Sequence, residues 1–276
     1  MEEAQHQEQC GKSMDIKKVA TQMRKDILNM AHNCGTMGAH VGGSMSAVDI
    51  LAVLYTQIMN VDGNMRDRFI MSKAHSVMAQ YAALHQVKKI TDEEIANAMM
   101  PGSFLYKHPC MNVEKGIEFS GGSLGQGLSL GAGTAWALKK SGNAESRVFV
   151  LVGDGECNEG SIWEAAASIA QYNLNNLTVI IDCNKLQNDG TTEEVLAFNN
   201  MAERWAAFGF ETYEIDGHDY TQIIDALSRR SDKPRAIIAH TVKGKGVSFA
   251  ENVVEWHASY LTDALYEKAM GELEND

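Results

Sequence analysis

The 276-residue sequence has no excess of basic residues: 24 Lys and Arg stand against 36 Asp and Glu, a formal charge of −12 at pH 7. Such a surface is not built to neutralise nucleic-acid phosphates or to lie on an anionic membrane. A local site can still be positive and hold a small anion. No apolar run approaches the ~20 residues that span a bilayer. The start, MEEAQHQEQCGKS, is unlike a signal peptide. Residues 1–14 read as a loose tail, and 15–276 as one domain. Cysteine offers little. There are five (Cys10, Cys34, Cys110, Cys157, Cys183), an odd number with no C-x-x-C. A zinc knuckle or redox dithiol has no support, and a reducing cytoplasm is the simplest setting. There is no P-loop, no internal repeat and no Pro- or Ser-rich linker, and Gly160 comes too late for a dinucleotide fingerprint.

What is present is ordinary for a soluble globular protein, 45% hydrophobic and 22% charged residues, with length enough for a substantial core. Residues 15 to 59 carry helical periodicity in two segments around NCGTMGAHVGGSMS, the second opening after Ser46 as an N-cap. DRFIMS reads as a short strand and AHSVMAQYAALHQV as a helix. SGGSLGQGLSLGAGTAWALKK is a glycine-rich turn feeding a helix. Its Gly127, Gly131 and Ala135 share one face, so close approach of another helix or a ligand is the usual candidate there, with plain packing as open as a subunit interface. Three strand–helix alternations follow: RVFVLV, LTVIID and FETYEID each precede a helix, and RAIIAHTV closes the series. This pattern predicts an α/β fold, a parallel sheet with helices on both faces.

In such sheets ligands sit beyond the carboxyl ends of the strands. The run VFVLVGDGECNEGSIWEAAASIA delivers Asp154 at one such end, and LTVIIDCNKLQNDG places Asn184 just past the next. A carboxylate and an amide oxygen there suit Mg²⁺ with phosphate oxygens. Gly155 can bring its N–H to a phosphate with no Cβ in the way. A lone G-D-G is as often a plain turn, and Asn184 at the matching position changes that balance.

The G-D-G followed after 28 residues by the asparagine of DCN resembles the thiamine diphosphate signature. The wider text resembles transketolase, in the form where the enzyme is split and this is the N-terminal chain. The matching stretches are HVGGSMSAVDIL, DRFIMSKAH, GGSLGQGLSLGAG, LVGDGECNEGSIWEAAA, LQNDGTTEEV, EIDGHD and TVKGKGVSF…WH. The resemblance implies a thiamine diphosphate-binding fold in which Asp154, Asn184 and the Leu186 carbonyl hold Mg²⁺ (or Ca²⁺) on the diphosphate. It implies that His75, Gly153, Gly155, Glu156 and Asn188, with the turn Gly121, Gly122, Ser123, Leu124, line the cofactor. His40, His108 and His257, with His75, would bind ketose hydroxyls and move protons. Glu159 and Glu164 match acidic positions near the subunit interface.

The same resemblance implies transfer of a two-carbon ketol unit from a ketose, sugar or sugar phosphate, to an aldose. A glutamate and phosphate-binding arginines of a pyrimidine-binding domain belong to the reaction, and that domain is missing from this chain. A C-terminal transketolase subunit is therefore the expected partner, in a heterotetramer, with no nucleic acid and no membrane. The alternatives are a 1-deoxyxylulose-5-phosphate synthase-like enzyme, a 2-oxo-acid dehydrogenase α chain, or a non-catalytic or regulatory subunit. Departures cluster near the site: Ala39, Ala74 and Lys107 stand where the family has glycine before three of the histidines, Ala258 replaces a glycine, and Asn188 an isoleucine. Lys107 is the candidate for meeting an extra anionic group on an unusual ketose. His6, His32 and His85 are expected to be inert, His218 to be structural, and Cys157 to be an unreactive thiol.

Overall fold

The expected parallel sheet is present in the computed structural model, which describes residues 15–274 except 144 and 198. The expected tail, residues 1–14, lies outside the described residues. Five strands, β1 (Arg68–Met71), β2 (Val148–Gly153), β3 (Leu177–Cys183), β4 (Glu211–Asp216) and β5 (Arg235–His240), form one sheet in the order β1-β2-β3-β5-β4. Every pairing is parallel. The register sets Gly153 beside Asp182 and Cys183 beside His240, so the strands deliver their carboxyl ends together.

Alternation along the strands makes two cores, as the pleat requires. Phe149, Leu151, Ile180 and Ile237 face helices α1 (Ile16–Asn33), α2 (Val77–Gln86), α5 (Tyr220–Ser228) and α6 (Asp263–Glu274). Val148, Val150, Val152, Val179 and Ile181 face α3 (Gln126–Lys140) and α4 (Gly160–Gln171). Helix α1 starts where Asp15 accepts from the Lys18 N–H at 3.4 Å, and α5 where Asp219 accepts from Thr221 at 2.9 Å. Among the described residues no helix is long and apolar enough to cross a membrane.

Two local expectations change. Helix begins at Val41, within the stretch expected to separate two helices, in short segments Val41–Ser46 and Val48–Val53. Ser46 is therefore not an N-cap. Its buried hydroxyl donates to the Gly43 carbonyl at 3.0 Å and to Asp182 at 2.6 Å. The small face of α3 meets the sheet rather than another helix or a ligand: a Cβ on Gly127 would lie 2.7 Å from Ser72 Cα, and one on Gly131 2.5 Å from Val150 Cγ2.

This contrast yields a prediction within one helix. Gly127→Ala gains helix propensity but drives a methyl into the backbone of Ser72, the residue after β1, and should lose about 1–3 kcal/mol of stability. Gly133→Ala, with nothing within 4 Å of the added methyl, should gain up to about 1 kcal/mol. Urea denaturation of both variants checks the sign.

Candidate active site

Four strands end in residues that share one cavity. Lys73 follows β1, Asp154 follows β2, Asn184 follows β3 and Lys243 lies beyond β5, and all four line a space of about 450 Å³, a size suited to a cofactor. The Asp154 N–H donates to the Asp182 carbonyl at 3.2 Å, which ties the ends of β2 and β3 together. Asp154 is 6% and Asn184 7% exposed, so their donor atoms are held in fixed places.

The turn after each strand fixes side-chain direction. Asp154 Oδ1 accepts from the Gly155 N–H at 2.7 Å and Oδ2 from the Lys185 N–H at 2.7 Å. Asn184 Nδ2 donates to Asp182 Oδ2 at 3.2 Å, which leaves Oδ1 as the oxygen held at the Leu186 N–H, 3.1 Å away. Burial first, then the Asp182 carboxylate, push the Asp154 carboxyl up to about 6. No lysine or arginine pairs with Asp154 among the described residues. A buried carboxylate beside an amide oxygen, with the Leu186 carbonyl in the same wall, is a hard-oxygen set that fits a divalent cation with phosphate oxygens. No group of three His, Cys, Asp or Glu suited to a metal occurs among the described residues, as expected for a site with a single carboxylate.

Lys243 carries no signal in the sequence. It is 1% exposed, and its ammonium lies 3.1 Å from both the Leu186 and Gln187 carbonyl oxygens and 3.0 Å from His257 Nδ1. Burial, then Lys73, lower it to about 8. It is a cation in the wall of the cavity that also holds Asp154 and Asn184. Lys73 is equally silent in the sequence: its ammonium holds the Gly43 carbonyl at 3.1 Å and pairs with Asp182, which is fully buried. Asp182 in turn receives Ser46, Thr241 and Asn184. These residues stand inside quoted motifs (SKAH, DCN, TVKGKG), yet only the fold reveals that they converge.

The four histidines do come together. Ring centroids of His40 lie 5.4 Å from His75, 5.8 Å from His108 and 5.5 Å from His257, and His75 lies 5.1 Å from His257. A two-way backbone pairing of Ala39 with Ser259, at 2.9 and 3.1 Å, joins the segments that carry His40 and His257. Burial first, then His108 and Lys107, lower His40 to about 4; burial, then Lys243, do the same to His257. Burial also holds His75 well below the usual imidazole range. These rings are neutral at pH 7 and can accept or relay protons.

A pH prediction follows with a definite sign. The unfolded chain protonates near 6.5 while folded His40 resists to about 4, so stability falls as pH drops through that window. Thermal melts from pH 7 to 4.5 should show a smaller acid loss in His40→Gln than in wild type. The comparison at each pH cancels Asp154, whose raised carboxyl pKa acts in the opposite direction.

The remaining expected residues divide. Leu124, Gly153, Gly155, Glu156, Glu159, Leu186 and Asn188 line the cavity with His75 and His257. Glu156 is a strap: its carboxylate accepts from the Gly153 N–H at 3.0 Å, the Gly125 N–H at 2.8 Å and the Ser72 hydroxyl. Gly121, Gly122 and Ser123 are not in the wall. Gly121 is tied to Pro109 at 3.0 Å, and a Cβ on it would lie 3.5 Å from the Ala74 methyl. Glu164 is exposed on α4, outside the cavity. Lys107 donates to the Met37 carbonyl at 3.0 Å, beside His108, so its ammonium already has a backbone partner. His218 joins Asp49 at 2.7 Å to the Val242 N–H at 2.9 Å, pinning the segment before Lys243. His32 pairs with Asp263, and His85 bridges Asp26 and Asp92, all outside the cavity wall; His6 lies outside the described residues. Cys157 is fully buried with its thiol pushed far up by burial.

Comparison with known proteins agrees with this geometry. Residues 17–272 match the family described as transketolase, thiamine diphosphate binding domain. One subunit of the apulose-4-phosphate transketolase of Phocaeicola vulgatus is 43% identical over 259 residues, 91% of this chain and 90% of that protein. The 6-deoxy-6-sulfo-D-fructose transketolase subunit SqwG of a Clostridium species is 36% identical over 95% of this chain and 98% of its own length. Among solved structures, transketolase from Leishmania mexicana superposes with a TM-score of 0.86 at 27% identity, over 95% of this chain. The chain spans 42% of the length of that protein, and the same share of the Campylobacter jejuni transketolase, TM-score 0.85 at 29% identity. The chain belongs to the transketolase family and is a thiamine diphosphate binding domain with a transketolase-type function.

Proposed function

We propose that this chain is the N-terminal subunit of a split transketolase that moves a two-carbon ketol unit from a ketose to an aldose. The observation that carries the reading is the convergence of Asp154 and Asn184, from the ends of adjacent strands, on the cavity that also holds His75, His257 and Lys243. Asp154, Asn184 and the Leu186 carbonyl would hold Mg²⁺ (or Ca²⁺), and Lys243 would face the diphosphate; the Gly155 N–H, which holds Asp154 Oδ1 here, would reach a phosphate only by exchanging that bond. When bound, thiamine diphosphate supplies an electron sink for breaking and making the carbon–carbon bond. The chain itself binds and orients. His40, His75, His108 and His257 present neutral ring nitrogens to ketose hydroxyls and hold or pass a proton there. The Lys243 ammonium at His257 Nδ1 favours the tautomer with the proton on Nε2, which then donates into the cavity.

Relatives of similar length are named as single subunits of a transketolase, which supports a partner chain. The glutamate and phosphate-binding arginines of the pyrimidine-binding domain would come from it, in a heterotetramer of two of each chain. The free thiols of Cys34, Cys110, Cys157 and Cys183 suit a reducing, cytoplasmic setting. Purified alone, the chain should turn over no ketose, and mixing with its C-terminal partner should restore activity; full turnover by this chain alone refutes the reading. Asp154 and Asn184, both present, speak against a chain that has lost the cofactor.

Similar proteins carry names with an anionic ketose, apulose 4-phosphate or 6-deoxy-6-sulfo-D-fructose. An anionic, unusual donor is proposed here too, with Lys107, beside His108, as the group that would meet its charge. Because Lys107 holds the Met37 carbonyl, Lys107→Gly removes both a positive charge and a loop tie. It should shift preference among ketoses toward uncharged ones, read as kcat/KM on a panel; an unchanged order of preference removes Lys107 from the account.

A further inference from the structure

The opposite, N-terminal edge of the sheet holds a second cavity of about 210 Å³, lined by Arg147, Arg229, Arg230, Arg235, Thr178 and Asn176 among others, with no carboxylate in its wall. The strands between the two cavities are about 20 Å long, so this is not the cofactor site. Two of its arginines are neutralised: Arg147 by Asp67 at 2.7 Å and Arg229 by Asp225 at 2.6 Å. Two are not. Arg235 is 3% exposed and donates to the Ala226 carbonyl at 3.0 Å and Thr178 Oγ1 at 2.7 Å. It has no carboxylate within 4.0 Å among the described residues. That uses two of its five N–H donors. Arg230 is exposed and makes no ion pair among the described residues. Glu211 and Asp232 border a neighbouring hollow beside Arg230, where Glu211 accepts the Tyr213 hydroxyl.

A buried guanidinium with no carboxylate in contact is costly, and the helix C-terminal carbonyl it caps accounts for only part of its donors. A ligand that satisfies the wall must present several anionic oxygens to the guanidinium donors, as a phosphate or the phosphoryl end of a monoester does.

We propose that this cavity binds a phosphate-class anion, either inorganic phosphate or the phosphoryl end of a small monoester, independently of the cofactor. Calorimetric titration of the full chain, with thiamine diphosphate and Mg²⁺ present and ionic strength fixed, tests it. Inorganic phosphate and glycerol 1-phosphate are the probes, and whichever binds more tightly identifies the source. Saturable binding is expected, weakened at least roughly tenfold by Arg230→Ala, an exposed position that leaves the core untouched. Lys243→Met, in the cofactor cavity, should leave it unchanged. Two results overturn the proposal: no saturable binding of either probe, or loss of binding in Lys243→Met with none in Arg230→Ala.

Discussion

Replacing Asp154 with asparagine should abolish Mg²⁺-dependent binding of thiamine diphosphate and, with it, turnover by the assembled enzyme. A residue behind a metal ligand typically costs about 10–100-fold in metal affinity or activity when changed, and loss of the sole carboxylate in the set should exceed that. Stability without ligand changes less. The wild-type carboxylate is 6% exposed with no ion-pair partner among the described residues, and burial pushes its carboxyl up to about 6. The asparagine variant sheds that charge but turns its NH2 toward the Gly155 or Lys185 N–H, so it should stay within about 1–3 kcal/mol of wild type when neither cofactor nor metal is added. At about 100 times its dissociation constant a ligand adds roughly 2.7 kcal/mol. Wild type should show such a gain with cofactor and Mg²⁺, and Asp154→Asn none, in parallel denaturation curves. A variant that simply fails to fold would lose stability in both conditions, so the two explanations separate.

Lys73→Met should destabilise the chain by about 3–5 kcal/mol, the cost of leaving one member of a buried ion pair alone. Asp182 is fully buried, and Lys73, 1% exposed, is its only ion-pair partner among the described residues. The effect should reach the site as well, because Asp182 also takes the Asn184 Nδ2 at 3.2 Å and so aims the other amide oxygen. Adding Asp182→Asn to Lys73→Met removes the orphaned charge while keeping one acceptor oxygen for either Ser46 or Thr241, and the new NH2 can donate to the other hydroxyl. The double variant should recover much of the loss in urea denaturation. A single variant within about 1 kcal/mol of wild type would show that the pair carries no such burden.

The parts legible in the sequence are those with local periodicity or a local motif. Near-continuous runs such as VFVLVG and LTVIID are buried on both faces in β2 and β3, so they read as parallel strands. Asp154 and Asn184 are visible because each stands one step beyond such a run, and a parallel register then brings both ends to one edge. The histidines are found only through resemblance. Their sequence separation is large, and a lone His40 or His108 gives no signal until the fold sets their rings edge to face, 5.8 Å apart.

What escapes is tertiary. Lys73 and Lys243 look like surface lysines in sequence, and nothing near them in the chain supplies their partners: Asp182, Leu186 and Gln187 come from the other strand end. Helix at Val41–Ser46 is hidden because two glycines and two serines mask its period; burial of every residue in it supports the segment instead. The glycine face of α3 reads as awaiting a helix or ligand, yet sheet residues Ser72 and Val150 already fill that space. Glu156 resembles a cofactor contact, and its oxygens turn out to be occupied by Gly125, Gly153 and Ser72.

The central claim is that positions 154 and 184 hold one divalent ion against a diphosphate, and a crystal structure of the chain with its C-terminal partner, thiamine diphosphate and Mg²⁺ tests it most directly. The account predicts a single Mg²⁺ at about 2.1 Å from an Asp154 carboxylate oxygen, Asn184 Oδ1 and the Leu186 carbonyl, with Lys243 against the phosphates. A diphosphate bound elsewhere, or an ion that touches Asp154 without Asn184, would contradict it.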